Sequence, residues 1–294
     1  MQANLKSISS DKPKSKIFKL SNLRFSNIAR SFKDMLSRLS AAPEFPSFEA
    51  ALAVSAHKAY EEDELLEVIR YKTRRYVDEL NKGNMMLWES ISYSIIGLMN
   101  PIACADSQPV RVLDFGGACG SHYFQTRKLL DKRVKLHWVV VETPGMVKIA
   151  QEFSSEELAF TSTISDAVTL LGQVDVIHSS GTLHFVPKPW DYLHELLATN
   201  PKYIILNRLG FYAGGKDVIS IHKSKLSWNG IGPLPPGIKD KRIAYPACFL
   251  DKHKLENILL QNYTILAKFV ETSGTFRVAE KVMEGGGYIF ERNK

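Results

Sequence analysis

The chain has 294 residues, of which 45% are hydrophobic and 23% are charged. This composition is typical of a globular protein with one large domain, or one domain and a small addition. It excludes a membrane-spanning segment, because no uninterrupted apolar stretch is long enough to cross a bilayer. No apolar signal-peptide core follows the N-terminus, so we expect a cytoplasmic protein.

The cysteines and histidines indicate neither a disulfide framework nor a metal site. Cys104, Cys119 and Cys248 lie far apart and are odd in number, and they have no zinc-ligand spacing. The eight histidines also lack the spacing of metal ligands. We therefore expect reduced thiols and no bound metal.

The N-terminal region carries the whole net charge of +7. Residues 1–40 contain nine Lys or Arg and two Asp or Glu, and the rest of the chain is balanced. Within 17–39, apolar residues at helical spacing alternate with cations, which predicts a basic amphipathic helix. This helix either lies on the inner face of an anionic membrane or packs on the protein's own core. The balanced charge of the remainder argues against nucleic-acid binding.

Next in chain order comes a predicted helical region. Residues 41–46 are typical of a linker, and 61–82 form an amphipathic helix with acids in its first turn and Gly83 after its end. Residues 85–105 predict a buried helix that ends before Pro101. We expect this region to pack beside a sheet and to cover part of its ligand pocket.

Residues 110–123 combine a short apolar strand, a glycine-rich turn and a helix-forming segment. Such a turn approaches a ligand closely, and the helix directs unpaired N–H groups at it. The dinucleotide fingerprint fits poorly, because its third and sixth glycines are replaced by Ala118 and Ser121, and the Lys of a P-loop is absent. The alternatives are another kind of nucleotide site or a purely structural turn.

A second apolar strand, 136–142, ends in Glu142, 22 residues after Gly120. An acid at about this distance accepts hydrogen bonds from a ribose diol in dinucleotide-binding folds, although solvated acids are also common at strand ends. Further strands are predicted at 158–164, 174–179 and 203–207, separated by segments of helix length. This order predicts an α/β fold with a doubly wound, mostly parallel sheet.

These motifs resemble those of class I S-adenosylmethionine-dependent methyltransferases. Asp114, Gly116, Ala118 and Gly120 are similar to that class's first motif, with Ala118 in place of the middle glycine. The segments 121–123, 140–147, 180–185, 207–209 and 245–246 resemble a family of bacterial methyltransferases associated with lipopolysaccharide and other surface-polysaccharide loci. The resemblance runs from residue 45 to the C-terminus.

The resemblance implies a seven-stranded Rossmann-like sheet with an N-terminal helical extension, completed by antiparallel strands at 264–271 and 288–292. Its domain limits are a basic tail at 1–43, a helical lead at 44–108 and a methyltransferase domain at 109–294, with a lid-like insertion at 211–249. The implied cofactor is S-adenosyl-L-methionine. The residues implied to bind it are Asp114, Gly116, Gly117, Ala118, Gly120, Glu142, Asp166 and Ser179. For Asp166, capping of the next helix is an equal alternative.

Histidine is the natural general base for a hydroxyl acceptor near neutral pH. We predict His184 for this role because it follows the fourth strand, although a structural histidine is an equal alternative. His178 is expected in the core, and His122 near the methionine end of the cofactor. Arg208 either holds an anionic acceptor group or pairs with a nearby acid.

The sequence thus predicts methyl transfer to a hydroxyl of a saccharide or surface-polysaccharide precursor. In the insertion, Tyr212, His222, Trp228 and Tyr245 are candidates for contact with a sugar ring. The alternatives are an inactive S-adenosylmethionine-binding module and a nicotinamide-dependent oxidoreductase. The oligomeric state stays open.

Overall fold

The structure is a computed structural model that describes residues 42–55, 62–84, 89–106, 108–270 and 276–294. The predicted amphipathic helix within 17–39 therefore lies outside the described residues. Within the described ranges, no helix combines the length and the apolar character needed to cross a membrane.

One mixed sheet forms the centre of the molecule. Its strands are β1 (Val110–Phe115), β2 (Leu136–Val141), β3 (Leu158–Thr161), β4 (Val176–Ser180), β5 (Tyr203–Tyr212), β6 (Val218–Lys225), β7 (Arg242–Asp251), β8 (Tyr263–Val270), β9 (Phe276–Val278) and β10 (Lys281–Arg292). The main path has seven strands in the order β3-β2-β1-β4-β5-β10-β8. Strands β1 to β5 pair in parallel along this path, and β10 runs antiparallel to both of its neighbours. The predicted seven-stranded, mostly parallel sheet is confirmed.

Helices cover both faces of this sheet. They are α1 (Phe48–Val54), α2 (Asp63–Asn81), α3 (Glu89–Ala103), α4 (Ser121–Leu129), α5 (Pro144–Ala150), α6 (Ile164–Leu171), α7 (Pro189–Ala198) and α8 (Lys252–Leu259). Alternate residues of each strand point to opposite faces. Val112 and Val140 therefore join α2 and α5 in one core, and Leu113 and Val139 join α6, α7 and α8 in the other. Two buried faces make the sheet doubly wound.

The helical region differs from the prediction at Pro101. Helix α3 passes through this proline and continues to Ala103, and the Cys104 N–H donates to the Asn100 carbonyl at 3.0 Å. The prediction that the helix ends before Pro101 is therefore wrong. The proline lies in the last turn, where it removes one backbone hydrogen bond and leaves few residues to be displaced.

Residues 211–249 are more ordered than a lid-like loop. Strands β6 and β7 form an antiparallel hairpin in which His222 lies opposite Tyr245, and the end of β7 pairs in parallel with the end of β5. The glycines and prolines that suggested a loop fall mainly in the connection between the two strands. The hairpin extends the sheet at the carboxyl end of β5.

A buried lysine joins this insertion to α2. The Lys72 side chain is fully buried, and its ammonium group donates to the Ser227 carbonyl at 2.8 Å and the Gly230 carbonyl at 3.4 Å. Burial lowers the pKa of Lys72 from 10.5 to about 8, although nearby Asp240 opposes the shift. The folded protein therefore holds this proton less tightly than the unfolded chain does.

This difference predicts a pH-dependent stability. Between pH 8 and 10.5 the unfolded chain binds more protons at this lysine, so its contribution to the unfolding free energy rises with pH. We expect the unfolding free energy of the wild type, minus that of Lys72→Met, to increase by about 1–3 kcal/mol across this window. Urea unfolding at a series of pH values measures the difference, and a flat difference contradicts the prediction.

Candidate cofactor and acceptor site

The glycine turn lies between β1 and α4, at the carboxyl edge of the sheet. Gly116 and Gly120 have φ angles of 80° and 81°, a region that side chains rarely adopt. A Cβ at Gly116 would lie 2.0 Å from the Thr182 hydroxyl oxygen. Ala118, in place of the expected middle glycine, also has a positive φ of 50°. The positive φ angles and the close approach of Thr182 therefore require glycine or another small residue at these positions of the turn.

Glu142 closes the side of the turn that faces β2. Its two carboxylate oxygens accept from the backbone N–H groups of Ala118 and Thr143, each at 3.0 Å. Burial raises the pKa of the Glu142 carboxyl and nearby Asp114 adds to the rise, whereas the two backbone donors lower it. Each oxygen has capacity for a further hydrogen bond. Glu142 therefore lies beside the glycine turn, and its predicted contact with a cofactor stays a prediction.

Asp114 lies beneath the same turn and is fully buried. One carboxylate oxygen accepts from the Trp138 indole N–H at 3.0 Å, and the other is 2.7 Å from Nδ1 of His178. A Cβ at Gly117 would lie 2.3 Å from the first of these oxygens. The carboxylate thus supports the turn from the core side and presents its oxygens to protein donors.

The hydrogen bonds continue from Asp114 to the helix after the turn. His178 Nε2 lies 2.8 Å from the Ser94 hydroxyl, which lies 3.2 Å from Nδ1 of His122. The first three members, Asp114, His178 and Ser94, are fully buried, whereas His122 is partly exposed. A polar chain therefore leads from the core to the surface of the site.

A second branch leads from Ser94 to β5. The Asn207 amide donates to the Ser94 hydroxyl at 3.1 Å and accepts from the Ser180 hydroxyl in a very short hydrogen bond. Arg208 donates from Nε to the same Ser180 hydroxyl at 3.1 Å and from Nη2 to the Ser180 carbonyl at 3.0 Å. The end of β4 is thus connected to the next strand through side chains.

Arg208 has the left-handed backbone conformation, with a φ of 52° within β5. The register of β10 shifts opposite this point, between Gly286 and Tyr288. Such a conformation costs about 1–3 kcal/mol in a residue with a side chain and is found mainly at functional sites. The guanidinium lies over Gly181, and no carboxylate of the described residues lies within 4 Å of it. Among the described residues Arg208 therefore has no acidic partner, and both of its predicted roles stay predictions.

His184 lies beside the hairpin in an aromatic group with Phe185, His222 and Tyr245. Its ring centroid is 3.8 Å from that of Phe185, and Phe185 in turn contacts His222 and Tyr245 at 5.4 and 5.1 Å. His184 is 7% exposed, and its buried Nδ1 has no hydrogen-bond partner among the described residues. Burial, with His222 and Arg208 nearby, lowers the pKa of His184 to about 3, so the ring is neutral at physiological pH.

The remaining hairpin residues are placed less favourably for contact with a ligand. Tyr245 and His222 are more than nine-tenths buried and stack on each other at 5.1 Å. Tyr212 packs against the small core cluster of β6 and β7, and the Lys225 ammonium lies 6.0 Å from the Trp228 ring. The aromatic group thus forms one wall of the site rather than an exposed platform.

Asp166 and Ser179 have structural hydrogen bonds. Thr163 caps α6 and accepts from the Asp166 backbone N–H at 3.0 Å, while the Asp166 carboxylate accepts from the Thr163 hydroxyl at 2.7 Å. Asp166 therefore takes part in helix capping, and its contact with adenine stays a prediction. Ser179 is fully buried and donates to the Phe115 carbonyl at 3.0 Å, which joins the ends of β4 and β1.

The sequence analysis missed Trp138, Ser94, Asn207 and Thr182. Their positions depend on strand register and on the helix that packs over the sheet. Asp114 pairs with His178 across β1 and β4 and with Val140 across β1 and β2, so Trp138, two residues before Val140, points to the same face. The sequence signal for this hydrogen-bonded group was one ionisable residue, Asp114 in β1 and His178 in β4, within each of two strands whose pattern otherwise predicts burial.

Comparisons with known proteins gave structural neighbours only. No family model matches the chain, and no curated protein matches it. The N-terminal domain of EvdMO1 with SAH bound is 13% identical with a TM-score of 0.43, and the match covers 76% of this chain and 97% of that one. A SAM-bound amino pentose methyltransferase of Micromonospora echinaspora is 12% identical, with a TM-score of 0.42 and coverage of 74% and 96%. An S-adenosylmethionine-dependent methyltransferase of Clostridium acetobutylicum is 12% identical, with a TM-score of 0.41 and coverage of 76% and 99%.

The buried position of Asp114 predicts a large effect on stability. In Asp114→Asn, one end of the amide would present N–H groups to the Trp138 or His178 donor, and a buried charged acceptor would be lost. We expect the unfolding free energy to fall by about 2–4 kcal/mol in urea denaturation. Asp78→Asn, at an exposed position of α2, is the control and should change it by less than about 0.5 kcal/mol. A similar small loss in Asp114→Asn contradicts the assigned role.

Proposed function

We propose that this chain is an S-adenosylmethionine-dependent methyltransferase. The observation that carries the proposal is the Glu142 carboxylate, which two backbone N–H groups hold at the edge of the glycine turn. Each of its oxygens can accept one more hydrogen bond, which matches the two adjacent hydroxyls of a ribose. A donor diol also offsets the burial that raises the pKa of Glu142.

The turn itself supports the same ligand. Gly116, Gly117 and Gly120 let the turn pack closely against Thr182, Asp114 and Leu158, and α4 begins after Gly120 with its N–H groups directed toward the turn. Asp114 and Ser179 support the turn from within the sheet, and Ala118 bonds to Glu142. When bound, S-adenosylmethionine supplies an electrophilic methyl group. The chain's own contribution is to align an acceptor with this group and to exclude water.

For the acceptor, we propose a hydroxyl of a saccharide or surface-polysaccharide precursor that also carries an anionic group. Arg208 supports this class, because its guanidinium is held by Ser180 and has no acidic partner among the described residues. His184 offers a buried Nδ1 without a partner near the same arginine. A carboxylate or phosphate on the acceptor would pair with Arg208, and a hydroxyl would bond to His184. Attachment to the inner membrane surface through 17–39 belongs to the same proposal.

Two other functions are distinguishable by experiment. An inactive binding module would bind S-adenosylmethionine and transfer no methyl group to any acceptor in a panel of saccharide precursors. A nicotinamide-dependent oxidoreductase would bind NAD in competition with S-adenosylmethionine. The glycine spacing argues against the second, because the residues at the fingerprint's third and sixth positions carry side chains.

Isothermal titration with S-adenosylmethionine tests the cofactor. In Glu142→Gln, the new amide N–H must face the N–H of Ala118 or Thr143, and one acceptor for the ribose is lost. We expect the Kd to rise about 10- to 100-fold, which corresponds to the loss of one charged hydrogen bond. Glu195→Gln, an exposed change on α7, is the matched control and should leave the Kd unchanged. No heat with the folded wild type would overturn the proposed function.

Matched acceptor pairs test the role of Arg208. Each pair consists of a neutral sugar and the same sugar with a carboxylate or phosphate. We expect the wild type to methylate the anionic member with the higher kcat/KM, and Arg208→Met to reduce this preference about 10- to 100-fold, because it removes a charged hydrogen-bond donor. Arg242→Met, an exposed change on β7, is the control. An unchanged preference in Arg208→Met would remove the anionic group from the proposal.

A further inference from the structure

His122 is the histidine of the site that has both an orienting partner and an open nitrogen. It lies in the first turn of α4, immediately after the glycine turn. Its Nδ1 is 3.2 Å from the Ser94 hydroxyl, whereas its Nε2 has no hydrogen-bond partner among the described residues. His122 is partly exposed. Within the described part of the chain, no polar group therefore occupies Nε2, which leaves this nitrogen for a ligand.

The hydrogen bonds behind His122 form a chain in which the donor of each contact depends on the tautomers of the two rings. The Asp114 carboxylate is 2.7 Å from Nδ1 of His178, and Nε2 of His178 is 2.8 Å from the Ser94 hydroxyl. The same hydroxyl is 3.2 Å from Nδ1 of His122. With a neutral His178 that donates to Asp114 and accepts the Ser94 proton, Nδ1 of His122 is the donor to Ser94 and Nε2 of His122 carries the lone pair.

We propose that His122 is the general base that accepts the acceptor's hydroxyl proton on Nε2, and that Ser94 relays a proton from His122 to His178 beside Asp114. The proposal rests on the methyltransferase function proposed above and assigns its base. His122 is the catalytic residue, and Ser94, His178 and Asp114 are positioning residues. In this arrangement, the lone pair of His122 lies at the start of α4, and the Asp114 carboxylate that stabilises the positive charge lies in the core.

The proton steps balance along this chain. The acceptor's O–H bond would break and its proton would move to Nε2 of His122. The acceptor oxygen would bond to the methyl carbon with the electron pair it keeps, while the carbon–sulfur bond of a bound S-adenosylmethionine breaks and S-adenosylhomocysteine leaves with that bond's electron pair. The Nδ1 proton of His122 passes to the Ser94 oxygen, and the Ser94 hydroxyl proton passes to Nε2 of His178. Ser94 ends unchanged, His122 ends neutral with its proton on Nε2, and the positive charge lies on His178 next to the Asp114 carboxylate.

The surroundings of His122 explain why a relay is useful. Burial, together with His178 on β4 and Arg208 on β5, lowers the pKa of His122 well below its ordinary value. The His122 ring is therefore unprotonated at neutral pH, and it binds a transferred proton only weakly. Transfer to His178 places the charge beside Asp114, 2.7 Å distant. An anionic acceptor group bound to Arg208 would also favour proton transfer to His122, because it would offset the arginine's positive charge.

His184 lacks these features. Its Nδ1 has no hydrogen-bond partner in the described structure, so no neighbouring group fixes its tautomer, and its pKa is lowered to about 3 with no carboxylate paired to it. It is suited to bind an acceptor hydroxyl, as proposed above. The position of His122 thus replaces the sequence-based choice of His184 as base, and the two assignments predict different kinetic results.

The tautomers are measurable without an acceptor. Long-range ¹H–¹⁵N correlation spectra of protein labelled with ¹⁵N-histidine distinguish Nδ1–H from Nε2–H rings. We expect both His122 and His178 to be Nδ1–H tautomers at pH 7.5, and Ser94→Ala to abolish the single tautomer of His122. A His122 ring protonated on Nε2 in the resting wild type would overturn the proposal. His194→Asn, on the exposed side of α7, serves as an assignment control that leaves both signals unchanged.

Kinetics test the catalytic role with an acceptor found in the panel. We expect His122→Asn to lower kcat about 10²- to 10⁴-fold, as is typical of the loss of a general base, with the Kd of S-adenosylmethionine within a few-fold of the wild type. Ser94→Ala should lower kcat and move the acid limb of its pH profile to lower pH, because His122 beside Arg208 then has to hold the proton alone. A purely structural role for Ser94 would leave the limb in place.

The results separate this proposal from the function on which it rests. If titration shows no S-adenosylmethionine binding, the methyltransferase function fails whatever the tautomers are. If binding and methyl transfer are present but His122→Asn keeps its kcat, the assignment of the base fails alone. Circular dichroism and thermal unfolding of each variant show that it is folded, and a folded His122→Asn with normal kcat overturns the proposal.

Discussion

The structure depends on one buried carboxylate. Asp114 lies on β1, which runs between β2 and β4 in the main sheet path. Its carboxylate accepts from Trp138 on β2 and is bonded to His178 on β4. A buried charge is tolerable only when its lone pairs are met by donors, and removal of one partner leaves an uncompensated charge or donor. Three neighbouring strands are thus held in one register. The glycine turn rests on this group, since Gly117 has no room for a side chain above the carboxylate.

This constraint separates two kinds of polar group at the carboxyl edge of the sheet. Asp114 and Ser179 are fully buried and bond to protein groups, whereas Glu142 is partly exposed, accepts from two backbone groups and retains capacity for a ligand. Position in the strand explains the difference. Asp114 is inside β1, so its side chain points into one core, while Glu142 is the first residue beyond β2 and lies over the turn. Glu142, the residue outside the strand, is therefore the one that we propose to bind the cofactor.

The parallel strands and the position of Glu142 at the end of β2 were predictable from the sequence, because buried parallel strands read as continuous apolar runs and their carboxyl ends share one edge. The β6–β7 hairpin was not, because the glycines and prolines of its connection obscured two regular strands. The structural role of Asp114 beneath the glycine turn was also not predicted. Its partners come from strand register and from the packing of α3, and a sequence pattern specifies neither. Ala118 kept the turn's positive φ despite its methyl group, so the motif was a better guide to backbone shape than to residue identity.

The placement of charge determines what the site can do with a proton. Arg208 has a left-handed backbone conformation and its side chain bonds to Ser180. Burial lowers the pKa of both His122 and His184, and the positive charge of Arg208 adds to the effect. A lone histidine beside a fixed cation would be unprotonated yet a weak base. The connection through Ser94 to His178 and Asp114 changes this balance, because the arriving proton can settle beside a carboxylate rather than beside an arginine. The same buried carboxylate that holds the sheet in register thus also supplies the counter-charge for proton transfer, which gives a physical reason for keeping an ionisable group in the centre of an apolar core.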